Sequence, residues 1–356
     1  MCPRFNSERR QSARVAQSTL ALLLAPSLSQ GYTTGMDIND HSSHIIQEAI
    51  NFETLLLSTK KSESSVEHLF EQIGNHISLH DPLTLHPNTY AEAIEYDVRN
   101  LLELHSWVKA RFLRLEPGDM VMKRGDAWYP EHIAKVPGSP RYVYARGDIS
   151  LLLRKCVCVV GTRNPSNEGK EYTRETVRAL SANDVVIVSG LALGIDGIAH
   201  VSALALESST IAVIGTSLID TYPTEHRTLQ EMIGKRGLLI SRFSPAVQTQ
   251  KWHFLLRNQL MSSVAEGTIV VEDRDGGGAV KQAFYALEQN RRVVLFQHVL
   301  DNRSLLWPRR LMIKPGVMVV KRPDAIHARL FAKGREKVEI SSKKEVPEQL
   351  SLFDLS

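Results

Sequence analysis

Three short stretches of this sequence combine glycine, hydroxyl and basic residues in a spacing that lets a backbone hold an anion. The first runs Gly161-Thr162-Arg163-Asn164-Pro165-Ser166. Ahead of a helix it can present backbone N–H groups, with Arg163 adding charge and Ser166 a hydroxyl at the helix amino terminus. The second contains Ser189, Gly190, Gly194, Asp196 and Gly197, with His200 four residues beyond Asp196 on the same helix face. The third is Gly276-Gly277-Gly278 with Lys281, shortly after Glu272. A further concentration, His253, Arg257 and Asn258, opens a helix on which residues four apart share a face, so His253 and Arg257 are expected to point together into a crevice. Each loop taken alone is equally accounted for by turn chemistry, and Asp196 with His200 by a helix cap and a surface histidine. Three such loops at the strand ends of one sheet carry more weight than any one.

The same residues argue against several chemistries. Neither G-x-G-x-x-G nor G-x-x-x-x-G-K-[ST] occurs in these loops, so a nucleotide-cofactor enzyme is weakly supported. Ser166 and Ser189 have histidines in the same region, but neither lies in a G-x-S-x-G elbow and no acid partner can be assigned. A non-catalytic site with no cofactor and no metal is the expectation.

Positioning these loops requires strands that end in them. Cys156-Val-Cys-Val-Val160 and Val185-Val-Ile-Val188 read as buried strands, joined by a helix from about Gly169 to Ala182. Strands follow at Ile211–Ile214, Leu238–Ile240, Thr268–Val271 and Arg292–Phe296, with helical segments between them. This alternation predicts an α/β fold: an extended, doubly wound, mostly parallel sheet of the Rossmann-like kind over 151–330, its ligand crevice beyond the strand ends. Before it, 1–115 reads as a small helical domain, with Ile45, Ile46, Ala49 and Ile50 at helical spacing. The stretch 116–150 is punctuated by prolines and glycines and reads as a docking linker carrying Trp128-Tyr129-Pro130. After it, 331–347 reads as a flexible linker rich in charge and serine, and 348–356 as a separate apolar tail.

Composition sets wider limits. With 43% hydrophobic and 23% charged residues the chain is of ordinary globular type, and no apolar run approaches the roughly 18 residues of a membrane span. A net charge of +4 permits nucleic-acid binding without requiring it. The three cysteines, Cys2, Cys156 and Cys158, form no framework of spaced pairs, which suits a reducing cytoplasm. Arg9-Arg10 and Leu20–Leu24 imitate a secretory signal only faintly, with Pro26 close behind and no small-x-small site.

An ordered set of motifs resembles the DNA-processing protein A family, also called Smf. It comprises Tyr129-Pro130, Arg146-Gly147-Asp148, Val160-Gly161-Thr162-Arg163 with Pro165-Ser166, Ser189 to Asp196 with Ala199-His200, Ala212 to Thr216, Tyr222-Pro223, His253-Phe254, Arg257-Asn258 and Val270-Val271-Glu272. The resemblance implies a single-stranded-DNA-binding protein without known enzymatic chemistry, a homodimer formed through the Rossmann-like domain, and a partnership with a RecA-type recombinase that it helps to load. It further implies that Gly161, Thr162, Arg163 and Ser166 hold phosphates, with Arg257, Asn258 and Lys281 lining the same basic pocket. Four positions depart from the family pattern: Thr162 stands where serine is usual and keeps the hydroxyl, while Leu193, Leu256 and Gln259 stand where basic residues are usual, which removes charge from the expected groove.

Gln349-Leu350-Ser351-Leu352-Phe353 resembles the short peptide by which bacterial replication and repair proteins dock into the sliding clamp. Two Leu anchors and a Phe at the end of a tether suit an apolar groove. Two other readings stay open. One is a nucleotide sensor or phosphoribohydrolase of the wider Rossmann-like superfamily, although Gly276-Gly-Gly-Ala-Val-Lys-Gln282 lacks the glutamate that those hydrolases carry. The other is a scaffold that acts through its tail alone.

Overall fold

Apolar runs long enough to be buried on both faces become the middle of a sheet. In the computed structural model, which describes residues 38–331, Cys156–Val160 forms strand β3 with all five residues buried. A strand so placed must be covered by helices on either side. β3 runs parallel to β4 (Val186–Ser189) on one side and to β7 (Gly267–Val270) on the other. With β1 (Met120–Lys123), β2 (Tyr142–Gly147), β5 (Thr210–Val213), β6 (Leu238–Ser241), β8 (Arg292–Phe296) and β9 (Val317–Val320), the sheet has nine strands in the order β1-β2-β6-β5-β4-β3-β7-β8-β9. β3 to β9 are mutually parallel where they pair, the doubly wound Rossmann-like arrangement expected from the sequence.

The chain steps from β3 through β4 and β5 to β6 in one direction, then crosses back to β7 and continues through β8 to β9 in the other. Right-handed crossovers therefore put α6 (Asn167–Ser181), α7 (Ile195–Ala205) and α8 (Arg227–Arg236) on one face. They put α10 (Gly278–Glu288) on the other, while α11 (Gln297–Asp301) and α12 (Trp307–Met312) follow β8, with His298 of α11 stacked on Tyr172 of α6 at 4.2 Å. α9 (His253–Val264) makes the return crossing and packs beside α10. A final helix, α13 (Ile326–Phe331), packs against α6. The reversal falls between β3 and β7, where a crevice opens past the strand ends.

Residues 116–150, read from sequence as a docking linker, supply two strands to the sheet. β1 pairs antiparallel with β2, and β2 antiparallel with β6. Gly147 takes φ +110° against the Gly237 carbonyl, a conformation closed to side chains. The Arg146 guanidinium grips Asp119 through two hydrogen bonds of 2.7 Å. Tyr129 donates its hydroxyl to the Pro140 carbonyl at 2.8 Å, so this aromatic is spent on packing.

Among the described residues, those from Ile45 to Phe331 belong to one unit. Helices α1 (Ile38–Thr59), α2 (Glu63–Gly74), α3 (Pro87–Ile94) and α4 (Val98–Phe112) share a core in which Phe52, Phe70 and Tyr90 meet ring to ring. That core continues onto β2 through Phe52–Tyr142 and Phe112–Tyr144 contacts. A buried ionic knot adds direction: Glu48 on α1 accepts from Arg141 at 3.0 Å, Tyr142 at 2.8 Å and Lys123 at 2.8 Å. Among the described residues no helix is long and apolar enough to cross a membrane. The expected linker and tail from 332 onward, including Gln349 to Phe353, lie outside the described residues.

Candidate functional site

The crevice past β3 and β7 holds a cavity of about 540 Å³. Gly161, Thr162 and Arg163 line it from the loop after β3, Asp196 from the start of α7, Arg257 and Asn258 from α9, and Gly277 and Gly278 from the loop before α10. Eight of the residues singled out in the sequence are thus brought together by four separate elements. Ser166, Ser189, Gly194, His253, Gly276 and Lys281 do not line it.

The three loops differ from the sequence reading in one respect: each already holds a carboxylate of this chain. Glu272, at the end of β7, accepts the Ser166 N–H at 3.0 Å and the Ser166 hydroxyl at its other oxygen, while that hydroxyl caps Gly169 N–H at 2.9 Å. Gly169 has no side chain because a Cβ there would run into the Glu272 carboxylate. Asp273 accepts from the N–H groups of Ala279 at 2.8 Å, Val280 at 3.1 Å and Arg274 at 2.9 Å, filling the amino terminus of α10. Burial pushes the Asp273 carboxyl up, and those three N–H groups pull it back. Asp196 accepts from Gly190 N–H at 3.1 Å and Ala192 N–H at 3.4 Å. A helix amino terminus stabilises any anion, and a carboxylate brought in by the fold satisfies it as a phosphate would. Several of the backbone donors that made these loops look like phosphate nests, those of Ser166, Gly190, Ala192, Ala279 and Val280, are therefore engaged internally.

Positive side chains are left to face the cavity. Arg257 is buried and donates Nε to Asn258 Oδ1 at 2.9 Å and Nη1 to the carbonyls of Val213, at 2.8 Å, and Gly190. Gly190 lacks a Cβ, and only so can the guanidinium lie against its backbone. Burial lowers the Arg257 pKa, the Asp196 charge raises it, and the Arg163 charge lowers it again. Burial likewise raises Asp196, opposed first by Arg257. Asp196 and Arg257 are thus opposite buried charges joined through Gly190, whose N–H donates to Asp196 and whose carbonyl accepts from Arg257. Arg163 is exposed above them and its guanidinium makes no hydrogen bond or ion pair among the described residues. Three guanidinium groups, those of Arg163, Arg257 and Arg274, against the carboxylates of Asp196 and Asp273, give the lining its positive excess.

A second cavity of about 300 Å³ adjoins the first and shares Arg163, Ala192, Phe254 and Arg257 with it. Tyr222 and Phe254 form its wall, ring centroids 5.3 Å apart, with Tyr222 48% exposed. The Arg257 guanidinium lies 5.8 Å from the Phe254 centroid. Neither ring was singled out by charge or spacing, and their only signal was the pairs Tyr222-Pro223 and His253-Phe254 within the family motifs. Leu193, 37% exposed, borders this cavity, whereas Leu256 and Gln259 are half-buried and line neither.

Other expectations are corrected by packing. His253 does not join Arg257 in the crevice. Its ring is buried and stacked on Phe243 at 4.1 Å, its Nδ1 accepts the Gln250 N–H at 3.2 Å, and burial, then the Arg242 charge, pushes it down to about 4. Ser189 donates its hydroxyl to the Val159 carbonyl at 2.7 Å between two strands. Asp196 and His200 do not pair, because His200 meets Thr210 Oγ1 at 2.8 Å in the core. That hydroxyl already donates to Ile187, so the imidazole Nδ1 is the donor. Lys281 is exposed on α10, and Gly276 takes φ +72° in the turn that brings Asp273 under the helix.

A doubly wound sheet with a cationic, aromatic-walled crevice at its switch point defines a Rossmann-like ligand-binding protein. Residues 120–330 match the family model of DNA recombination-mediator protein A, and the chain belongs to that family. It is 37% identical over 166 residues to DNA processing protein DprA of Bacillus subtilis, covering 46% of this chain and 56% of that one. It is 37% identical over 180 residues to the DprA of Streptococcus pneumoniae, covering 50% and 64%. The matched segments span between half and two thirds of those relatives. The X-ray structure of DprA from Streptococcus pneumoniae superposes with a TM-score of 0.61 at 26% identity, over 78% of this chain and 96% of that one. A Helicobacter pylori DNA processing protein A structure, solved to describe that protein's single-stranded DNA binding mode, gives 0.53 at 28% identity over 60% and 95%.

Proposed function

We propose that this protein binds single-stranded DNA in the crevice between β3 and β7, serves DNA processing during transformation and recombination without catalysis, and hands the strand to a RecA-type recombinase in the cytoplasm. The observation that carries the reading is Arg163, exposed and unengaged over the buried Arg257, at the junction of a polar cavity and an aromatic one. A single strand needs a cation for its phosphate and a ring face for an unstacked base, and this junction offers both within one site. The internal carboxylates favour this reading over a nucleotide cofactor. A free diphosphate depends on unengaged backbone N–H groups, and those of Ser166, Gly190, Ala192, Ala279 and Val280 already donate to carboxylates of this chain. Family membership and the Helicobacter pylori relative's binding mode support the choice of ligand.

Two partnerships accompany it. Phe284 on α10 and Leu306, Met312 and Ile313 around α12 are exposed apolar side chains, which supports a homodimer through the Rossmann-like domain. Gln349-Leu350-Ser351-Leu352-Phe353 supports docking to a sliding clamp. The deciding experiment is fluorescence anisotropy of labelled single-stranded DNA across a salt series, comparing wild type with Arg163→Ala. Salt-sensitive binding weakened by the substitution is expected. A folded wild type that binds no single strand would end the reading.

A further inference from the structure

On the α6–α8 face a groove of about 1050 Å³ runs between those three helices. Its floor is aliphatic: Ile198, Val201 and Leu204 from α7 and Met232 from α8, with Val201 55% and Met232 39% exposed. Its rim carries Arg163, Lys170, Arg174 and Arg236, against one acidic lining residue, Glu225. Arg174 pairs with Glu171 at 3.1 Å, but both ends of that pair are about half exposed, so it is easily exchanged for another carboxylate. No Phe, Tyr or Trp lines the groove. Bases bind single-strand channels by stacking on aromatic rings, so an aliphatic floor with a basic rim suits an acidic peptide with Leu and Phe anchors better than nucleic acid.

The chain contains such a peptide. From Glu345 to Leu355 it carries Glu345, Glu348 and Asp354, no Lys or Arg, and the apolar residues Leu350, Leu352, Phe353 and Leu355. The segment ahead of residue 38 is the wrong sign for this rim, with Arg4, Arg9, Arg10 and Arg14. Reach is sufficient. α13 packs against α6 and ends at Phe331, and the residues from there to Glu345 span up to about 45 Å when extended. α6 itself is only about 22 Å long.

We infer that Glu345–Leu355 docks in cis into the groove between α6, α7 and α8, its acids on the basic rim and its Leu and Phe side chains on Val201 and Met232. The same peptide cannot lie in this groove and in a clamp at once, so clamp docking uncovers the groove. Arg163 belongs both to this rim and to the crevice, so the docked segment sets carboxylates beside the DNA site. That last link rests on the function proposed above, and the docking itself does not.

Disulfide trapping in the full-length chain tests it. In a Cys2→Ser background, Met232→Cys with Leu352→Cys is compared with Leu153→Cys with Leu352→Cys. Leu153 is exposed and lies two residues from Lys155, whose ammonium sits 5.1 Å from the Phe331 ring, so the control stands nearer the start of the tether. Docking predicts an intramolecular disulfide forming about tenfold faster in the Met232 pair, the gain expected when a tethered contact is held rather than sampled. Adding Phe353→Asp should remove the difference while the fold is unaffected. Equal rates in the two pairs, or a disulfide that joins two chains, would overturn the inference. No DNA enters the readout, so a failed DNA-binding assay and a failed docking assay remain distinct results.

Discussion

The Glu272 carboxylate lies on the first turn of α6, bound to both the N–H and the hydroxyl of Ser166, which stands 106 residues earlier in the chain. It occupies the place that a phosphate would take at a free helix amino terminus. Glu272→Gln keeps the shape and removes the charge, so α6 loses an anion at its positive end. We expect a loss of about 1 kcal/mol in urea unfolding, together with tighter binding of sulfate or phosphate near Ser166. A variant as stable as wild type, and equally indifferent to sulfate, would show that the carboxylate does not fill the site.

Arg163 and Arg257 should separate cleanly on substitution. Arg163→Ala removes an exposed, unengaged cation and should leave the unfolding midpoint within about 0.5 kcal/mol of wild type while weakening DNA binding. Arg257→Ala removes the positive charge that opposes the burial of Asp196 and leaves the carbonyls of Gly190 and Val213 without their donor. Each buried acceptor left without its donor costs about 1–3 kcal/mol, so a clear loss of stability is expected. Asp196→Asn in the Arg257→Ala background should recover part of that loss. Equal stability of the two single variants would contradict the division into a ligand-facing and a structural arginine.

The sheet was legible because its signal is local. Cys156–Val160 and Val293–Phe296 are continuous apolar runs, buried throughout as parallel central strands must be. Ser166 also announced the start of α6. The occupants of the loops were not legible, since nothing near Ser166 indicates which anion will reach it, and the two carboxylates that fill the first and third loops are consecutive residues, Glu272 and Asp273. His253 was misplaced for a related reason. Helical spacing fixes which residues share a face but not what that face meets, and Phe243 met His253 first. β1 and β2 were not placed in the sheet because short antiparallel strands between prolines and glycines carry little periodicity.

Two glutamates on α1 should give opposite pH signatures. Glu53 is buried without a cation: burial first, with the Glu63 charge adding to it and Ser244 opposing, raises it to about 7. A carboxyl raised in the folded state binds its proton more tightly there, so its cost grows as pH climbs from about 4.5 to about 7 and is complete above. Glu53→Gln should therefore stabilise the protein at pH 8, by a few kcal/mol, and do little at pH 4. For Glu48, burial raises the carboxyl, but Lys123, Arg141 and Tyr142 together outweigh it and hold it below the usual range. Its contribution is present at neutral pH and lost as pH falls through the folded pKa, so Glu48→Gln should destabilise at pH 7 and converge on wild type in acid. Urea unfolding at three pH values reads both, and parallel curves for the two variants would contradict the assignment.

The aromatic and cationic halves of the crevice should leave different marks on DNA binding. Each phosphate neutralised in a single strand contributes about 0.7 to the slope of log K against log salt, whereas a base stacked on a ring contributes affinity that salt scarcely touches. Arg163→Ala is thus expected to lower affinity and flatten the slope by about 0.7. Tyr222→Ala removes one ring of the pair 5.3 Å apart and should cost about 1–3 kcal/mol with the slope unchanged. Leu193→Arg adds a cation at the mouth of the same cavity and should steepen the slope by a similar increment. If Tyr222→Ala flattened the slope and Arg163→Ala did not, the phosphate and the base would have to exchange places between the two cavities.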